Sequence, residues 1–183
     1  MATVHTIGHG TRSTEELARL LGDAGVTLLV DVRRMPGSRR HPHFAREALA
    51  ISMPELGIAY DWRGEALGGR RSRKEIGRLS RHPAWTNDAF RNYADYMDSD
   101  EFRDALQRLE EDAGHHAVAV MCAETLWWRC HRRLIADALV VDGHDVIHVL
   151  GPGKSQAHPL HESLRIEDGR PVYDVGVTGT LEV

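Results

Sequence analysis

The chain has 183 residues, 42% of them hydrophobic and 27% charged, ordinary values for a globular protein with room for one substantial core. Its formal net charge of -4 argues against a protein-wide positive field. Apolar runs such as 26–30 and 117–122 fall far short of the ~18 residues that cross a bilayer. Two cysteines cannot make a disulfide scaffold, and Met1-Ala-Thr-Val-His5 carries no secretory signal. The expectation is therefore a single cytoplasmic domain over 1–183, with no membrane contact.

Val4-His-Thr-Ile-Gly8 reads as a first strand running into the turn Gly8-His9-Gly10. Ser13 as N-cap with Glu16 three residues on makes a capping box. Leu17, Leu20 and Leu21 stripe the helix that follows, and Gly25 ends it. Val26-Thr-Leu-Leu-Val30 has the near-continuous apolarity of a buried parallel strand and ends at Asp31-Val-Arg33. A right-handed crossover sets these strands parallel, with His9, Asp31 and Arg33 at their carboxyl ends. Residues 34–43 form a loop, and 44–52 read as a short helix bounded by Pro54. Ile58-Ala-Tyr60 opens a third strand. The basic, glycine-interrupted stretch 64–80 reads as a surface excursion.

A helical region follows, carrying Phe90, Tyr93, Ala94 and Met97, then Phe102, Leu106 and Leu109, with a break or second N-cap near Asp100. His116-Ala-Val-Ala-Val-Met-Cys122 is the next buried strand. A helix from about Thr125 to Val141, closed by Gly143, leads to the strand Asp145-Val-Ile-His-Val-Leu150. Residues 151–183 form an irregular extension with β-like pieces such as 170–175. The order implies an α/β fold: three layers, with a mostly parallel open sheet and helices on both faces.

Charge is unevenly spread. Residues 33–46 hold five arginines and two histidines without a carboxylate, and 63–81 hold seven Lys or Arg against Glu65 and Glu75. An acidic protein can thus present a basic face to phosphate. The densest chemistry is the run Cys122-Ala-Glu-Thr-Leu-Trp-Trp-Arg-Cys-His-Arg132. A cysteine where a strand meets a helix N-terminus has its thiol pKa lowered by the free N–H groups. Arg129, His131 and Arg132 would reinforce that, and Glu124 is a candidate general acid or base. The bland alternative is a small buried core thiol.

If one helix runs through both cysteines, Cys122 and Cys130 sit roughly 12 Å apart along its axis. That is wrong for a disulfide and leaves Cys130 a packing residue. A zinc site would need His9, Glu124 or His131 besides, at a spacing unlike a finger or ribbon. Metal binding therefore ranks below thiol chemistry, and no cofactor is expected. Of the adjacent Trp127 and Trp128, one belongs in the core; the other, taken as Trp128, is free to pack over a base or substrate ring.

The turn Gly8-His9-Gly10-Thr11-Arg12-Ser13 resembles an anion-holding turn in which Arg12 grips phosphate. It is neither a Walker loop nor a dinucleotide fingerprint. His9 is an acid or base facing Cys122, or it packs the turn. Asp31 orients His9 while Arg33 holds an anion, or the two simply pair.

Taken together, Thr6-Ile-Gly-His-Gly10, Leu29-Val-Asp-Val-Arg33, Asn92-Tyr-Ala-Asp-Tyr96, Met121-Cys-Ala-Glu124 and Trp128-Arg-Cys-His-Arg132 resemble the DUF488 family, small bacterial and archaeal proteins of uncharacterised function. The similarity spans about residues 4–150. Gly10 stands where the family pattern often has serine. The resemblance implies a site at His9, Asp31, Arg33, Cys122, Glu124, Cys130, His131 and Arg132 without supplying a reaction. A weaker likeness is to rhodanese-like domains, through Leu-Val-Asp-Val-Arg and the later strand–Cys–loop–helix. The loop from Cys122 to Arg129 is bulkier, acidic and one residue longer than a Cys-x5-Arg loop.

The leading expectation is a cysteine-dependent enzyme. Cys122 is its thiolate, Glu124, His9 and Asp31 assist, and Arg12, Arg33, Arg129, His131, Arg132 and Trp128 hold an anionic small molecule or nucleotide bearing phosphate or sulfur. The alternatives are a nucleic-acid-binding or -processing domain with structural cysteines, and a metal-binding protein through Cys, His and Glu. The sequence leaves the homo-oligomeric state open.

Overall fold

Both faces of the central strands are covered, which is why their sequences lack a two-residue alternation. The computed structural model describes residues 1–37, 39–76 and 79–177; positions 38, 77 and 78 of the two basic stretches, and 178–183 of the C-terminal extension, lie outside the described residues. Strands β1 (Thr3–Gly8), β2 (Leu28–Asp31), β3 (Ala59–Trp62), β4 (Val118–Cys122), β5 (Asp145–Gly151) and β6 (Lys154–Ala157) form one sheet in the order β3-β2-β4-β1-β5-β6. The first five in that order run parallel, and β6 folds back antiparallel on β5. β2 is buried at every position and β4 at all but Cys122.

Helices α1 (Thr14–Asp23) and α2 (Arg46–Glu55) cover one face, packing Leu17, Leu21, Leu49 and Met53 on Ile7, Leu29 and Met121. The short helices α3 (Gly64–Leu67) and α4 (Arg73–Ile76) precede α5 (Asp88–Tyr96), α6 (Asp100–Ala113) and α7 (Arg132–Val141). These last three cover the other face, with Tyr93, Phe102, Leu106, Leu134 and Ile135 against Val4, Val30, Val118 and Val120. The fold is the expected three-layer α/β arrangement. Among the described residues no helix is long and apolar enough to cross a membrane.

The start signals read from the sequence operate as expected. Ser13 N–H donates to Glu16 Oε2 (2.8 Å) and Glu16 N–H to Ser13 Oγ (3.1 Å). Asn87 and Ser99 cap α5 and α6, so the helical region does break just before Asp100. Pro54 does not bound α2: it sits in the last turn, where its missing N–H removes a single intrahelical bond.

Two larger expectations are corrected. No helix starts at Thr125; residues 123–131 form a loop with one 3-10 turn, Trp127–Arg129, and α7 begins at Arg132. Nor is the glycine-rich stretch after Arg63 a plain surface excursion. Gly64, Leu67, Gly68 and Gly69 are buried, because a side chain at Gly64 would lie 1.9 Å from the Arg33 carbonyl and one at Gly68 2.1 Å from that of Gly64. Beyond β5 the chain adds β6 and a separate hairpin of β7 (Leu164–Glu167) and β8 (Arg170–Tyr173).

A buried polar chain links β1, β5, α7 and β8. Asp137 accepts from His158 Nε2 (2.9 Å) and from Tyr173 OH (2.9 Å). With its Nε2 proton given to Asp137, His158 accepts at Nδ1 from His148 Nε2 (2.8 Å), and His148 Nδ1 accepts from Thr6 Oγ1 (2.6 Å). In this arrangement one carboxylate orients both imidazoles, and burial first, then the neighbouring His158, lowers the pKa of His148 to about 3.

Candidate functional site

The loops after β1 and β4 leave towards opposite faces of the sheet, α1 lying on one and α7 on the other. That divergence opens the crevice where α/β sheets hold ligands. The two loops first run side by side: His9 N–H donates to Cys122 O (2.9 Å) and Gly10 N–H to Ala123 O (3.0 Å). This close approach is possible only because residue 8 is glycine; a Cβ there would lie 2.0 Å from the Glu124 carbonyl oxygen. Arg132, 1% exposed, then ties the loop down, donating to the carbonyls of Glu124 and Thr125. Held in this way, residues 123–125 cannot enter a helix, which is the physical reason for the late start of α7.

The consequence is a correction to the cysteine geometry. The loop doubles back and delivers Cys130 and His131 to Cys122. His131 Nδ1 is 4.0 Å from Cys122 Sγ and 3.7 Å from Cys130 Sγ, and the three ligating atoms lie within 4.8 Å of one another. The 12 Å separation expected along a continuous helix does not occur, and the buried Cys130 stands beside Cys122 and His131. His131 is seated by shape: a Cβ on Gly69 would lie 2.9 Å from its Nδ1, and the Tyr93 ring stands 5.1 Å away. Its Nε2 has no hydrogen-bond partner among the described residues.

The two sulfurs share their protons unequally. Cys130 S–H donating to Cys122 holds the Cys122 thiol well below its ordinary range, assisted by His131 and the Arg132 charge and opposed by burial. Cys130 is pushed up correspondingly, first by its bond to Cys122 and then by burial. Of the two, Cys122 is therefore the more acidic thiol.

Behind the cysteines stands a second network. Asp31, fully buried, accepts from Arg33 N–H (3.0 Å), Nε (2.9 Å) and Nη2 (2.6 Å) and from Tyr60 OH (2.7 Å). Arg33 Nη1 lies 3.1 Å from His9 Nε2, and His9 Nδ1 lies 2.9 Å from the Gly10 carbonyl. A carbonyl only accepts and a guanidinium only donates. His9 therefore carries its proton on Nδ1, and Arg33 occupies the Nε2 lone pair. Burial first, and then the Arg33 charge, lower its pKa to about 4. His9 is a neutral, engaged imidazole, and Asp31 reaches it only through Arg33.

A cavity of about 830 Å³ opens over the cysteines, within the range of small-ligand sites. Of the site residues expected from sequence, Cys122, Glu124, Arg33, Arg129, His131 and Trp128 line it, together with Cys130; His9, Asp31, Arg12 and Arg132 do not line it. Arg12 grips backbone, donating to the carbonyls of Gly8 and Leu150. Trp127 is buried and Trp128 43% exposed, dividing as expected. Sequence reasoning missed Arg34, Arg70 and Gly69 on the wall. Their visible signals were the basic composition of 33–46 for Arg34 and the basic, glycine-rich composition of 63–81 for Gly69 and Arg70. Glu124 is the one carboxylate among the described lining residues, with Oε1 accepting from Leu126 N–H (3.3 Å).

Searches of curated proteins and of solved structures return no match. The family model described as "Domain of unknown function DUF488" matches residues 13–139, a narrower stretch than the 4–150 expected, leaving β1, His9 and β5 outside it. It includes the loop that carries both cysteines, His131 and Arg132, and it covers well over half of the sequence. The chain belongs to the DUF488 family.

Proposed function

We propose that Cys122, Cys130 and His131 form a three-ligand centre for a zinc-class divalent ion, its fourth position turned to the cavity, and that the centre acts on an anionic ligand held by the cavity arginines. The convergence of two sulfurs and one imidazole nitrogen carries this reading. Metal–sulfur bonds of ~2.3 Å and metal–nitrogen bonds of ~2.0–2.1 Å at tetrahedral angles imply sulfur–nitrogen edges of about 3.6 Å. The two sulfur–nitrogen distances here are 3.7 and 4.0 Å, so those edges close by a few tenths of an ångström, while the sulfur–sulfur edge, within 4.8 Å, has to reach about 3.8 Å. Three protein ligands with one open position is the catalytic form of such a centre, and four is the structural form. A bound ion would polarise a ligand oxygen or acidify a bound water.

The chain's own groups divide the remaining work. Arg70 and Arg129 line the cavity without a guanidinium partner among the described residues and face the anion. Glu124 is placed to take or return a proton at the rim. Gly69 and Tyr93 fix the His131 ring by packing. The unbridged thiols suit a reducing compartment, and we place the protein in the cytoplasm.

The lowered thiol of Cys122 supports a second reading, in which it is a nucleophilic thiolate and no ion is needed. Metal analysis of protein purified without a histidine tag separates the two. About one zinc per chain, lost in Cys122→Ser and His131→Ala, is expected. Protein that takes up no zinc on reconstitution, and whose two thiols alkylate freely in its presence, would overturn the metal reading.

A further inference from the structure

The cavity wall is divided into an aromatic part and a cationic part, and each needs a partner. Trp128 is 43% exposed and Met35 66% exposed on that wall. Trp128 is nonetheless held firmly. Its ring meets Trp127 edge-on at 5.5 Å and 87°, and Trp127 is itself stacked on His148 at 4.2 Å and 8°, with its Nε1 donating to Gln156 (3.2 Å). An edge-on neighbour fixes an indole and leaves its faces available for stacking. Phe90, propped on Trp85 at 5.1 Å, lines the same cavity.

The cationic part is as specific. Arg70 has φ +60, a left-handed conformation that non-glycine residues rarely adopt. Its carbonyl is held by Arg34 Nη1 (2.9 Å). Its guanidinium and that of Arg129 have no protein partner among the described residues. Arg33 and Arg132, by contrast, are consumed by Asp31 and by loop carbonyls. Asn87 spends its Oδ1 on the amides of Ala89 and Phe90 (2.9 and 3.3 Å), leaving its Nδ2 donors for a ligand.

We infer that the cavity takes a nucleotide unit: a heteroaromatic base stacked on Trp128, with its phosphate between Arg70 and Arg129 and a base-edge acceptor on Asn87. The inference deepens the anion-binding part of the proposed function and is independent of the metal. Two unpaired guanidiniums match a phosphate dianion better than a single carboxylate. A lone inorganic anion would leave Trp128 without purpose. The room available exceeds what a small aromatic acid fills, and it suits base, sugar and phosphate together. The unit is either a free mononucleotide or one nucleotide of a strand.

The test uses the full chain, in chelator-treated and zinc-loaded forms, at low salt. Tryptophan fluorescence and calorimetry follow titration with adenosine and cytidine monophosphates, their nucleosides, inorganic phosphate, and a short single-stranded oligonucleotide with and without a terminal phosphate. Monophosphates are expected to quench Trp128 and to bind at least tenfold tighter than nucleoside or phosphate. Trp128→Leu, a surface change, weakens nucleotide binding by roughly tenfold or more and leaves phosphate binding unchanged, whereas Arg129→Ala weakens both. Tighter binding of the oligonucleotide assigns the unit to a strand, and tighter binding of the mononucleotide to a free metabolite. Phosphate binding as tightly as the nucleotides, or an unaltered nucleotide affinity in Trp128→Leu, overturns the inference. Failure of the metal reading shows separately, as chelator-treated and zinc-supplemented proteins with the same metal content.

Discussion

Replacing Asp31 by alanine tests the wall behind the cysteines. Asp31 is 0% and Arg33 8% exposed, so the substitution leaves a guanidinium buried with only His9 Nε2 and the Phe44 carbonyl (2.8 Å) to meet it. Breaking a buried pair from one side costs about 3–5 kcal/mol. The upper part of that range applies, because Tyr60 OH and the Arg33 amide lose their acceptor as well. For a protein of this size the loss corresponds to a fall of roughly 10 °C or more in Tm. Urea unfolding followed by tryptophan fluorescence at pH 7 measures it, with the slope m reporting whether the transition stays two-state. Asp31→Leu combined with Arg33→Met removes both charges and is expected to cost less than Asp31→Ala alone. The reasoning fails if Asp31→Ala lies within about 1 kcal/mol of the parent, or if the double variant costs the sum of the singles.

Three further outcomes are expected. His9 and His148 are neutral, lowered mainly by burial to about 4 and about 3; the folded state therefore binds fewer protons than the unfolded state below the ordinary value of ~6.5. Their contribution is complete above that pH and is lost as pH falls towards 4 and then 3, His9 alone accounting for something on the order of 3 kcal/mol. Urea midpoints between pH 7 and 4 should show a shallower acid slope in His9→Gln, and equal slopes would count against the assignment. Gly8→Ala, with its Cβ 2.0 Å from the Glu124 carbonyl oxygen, should yield little folded protein, while Gly22→Ala, helical with nothing within 4 Å, should gain about 0.5–1 kcal/mol. Gly69→Ala presses on the His131 ring and should weaken zinc binding roughly tenfold with a smaller effect on the urea midpoint; a loss of stability alone would show that Gly69 serves packing only.

The layers were legible because they rest on short-range patterns: the apolar runs of β2, β4 and β5, the capping box at Ser13, and the break before α6. The position of Cys122 at a strand's carboxyl end was legible for the same reason. Its neighbours were not. Whether the chain coils into a helix after Cys122 is decided by Gly8, more than a hundred residues earlier, and by a guanidinium that reaches back from Arg132 to Glu124 and Thr125. Local propensity carries no trace of either. Without that loop, Cys130 and His131 face away from Cys122 and no three-ligand cluster exists. Likewise Asp31, His9 and Arg33 were visible as a group, but their order was not: only the geometry puts Arg33 between the other two.

The arginines fall into two kinds, and the division bears on how the site acts. Arg12, Arg33 and Arg132 are spent within the fold, on carbonyls or on Asp31. The Arg132 charge strengthens the field beside Cys122 and Arg33 interacts with Cys122 as well, yet none of the three is free to follow a ligand. Arg70 and Arg129 have no internal partner among the described residues and stand on the cavity wall; in the function proposed above, a bound anion is their partner. Substitution in the first group should act through stability and through the position of the 123–131 loop. Substitution in the second should leave unfolding unchanged within about 0.5 kcal/mol, as for ordinary surface changes, and should shift only ligand affinity and its salt dependence. A cavity whose floor is set by buried, neutralised charges and whose rim carries unneutralised ones can admit an anion without rearranging. On this reading, the chemistry at Cys122, Cys130 and His131 meets a ligand already oriented by the rim.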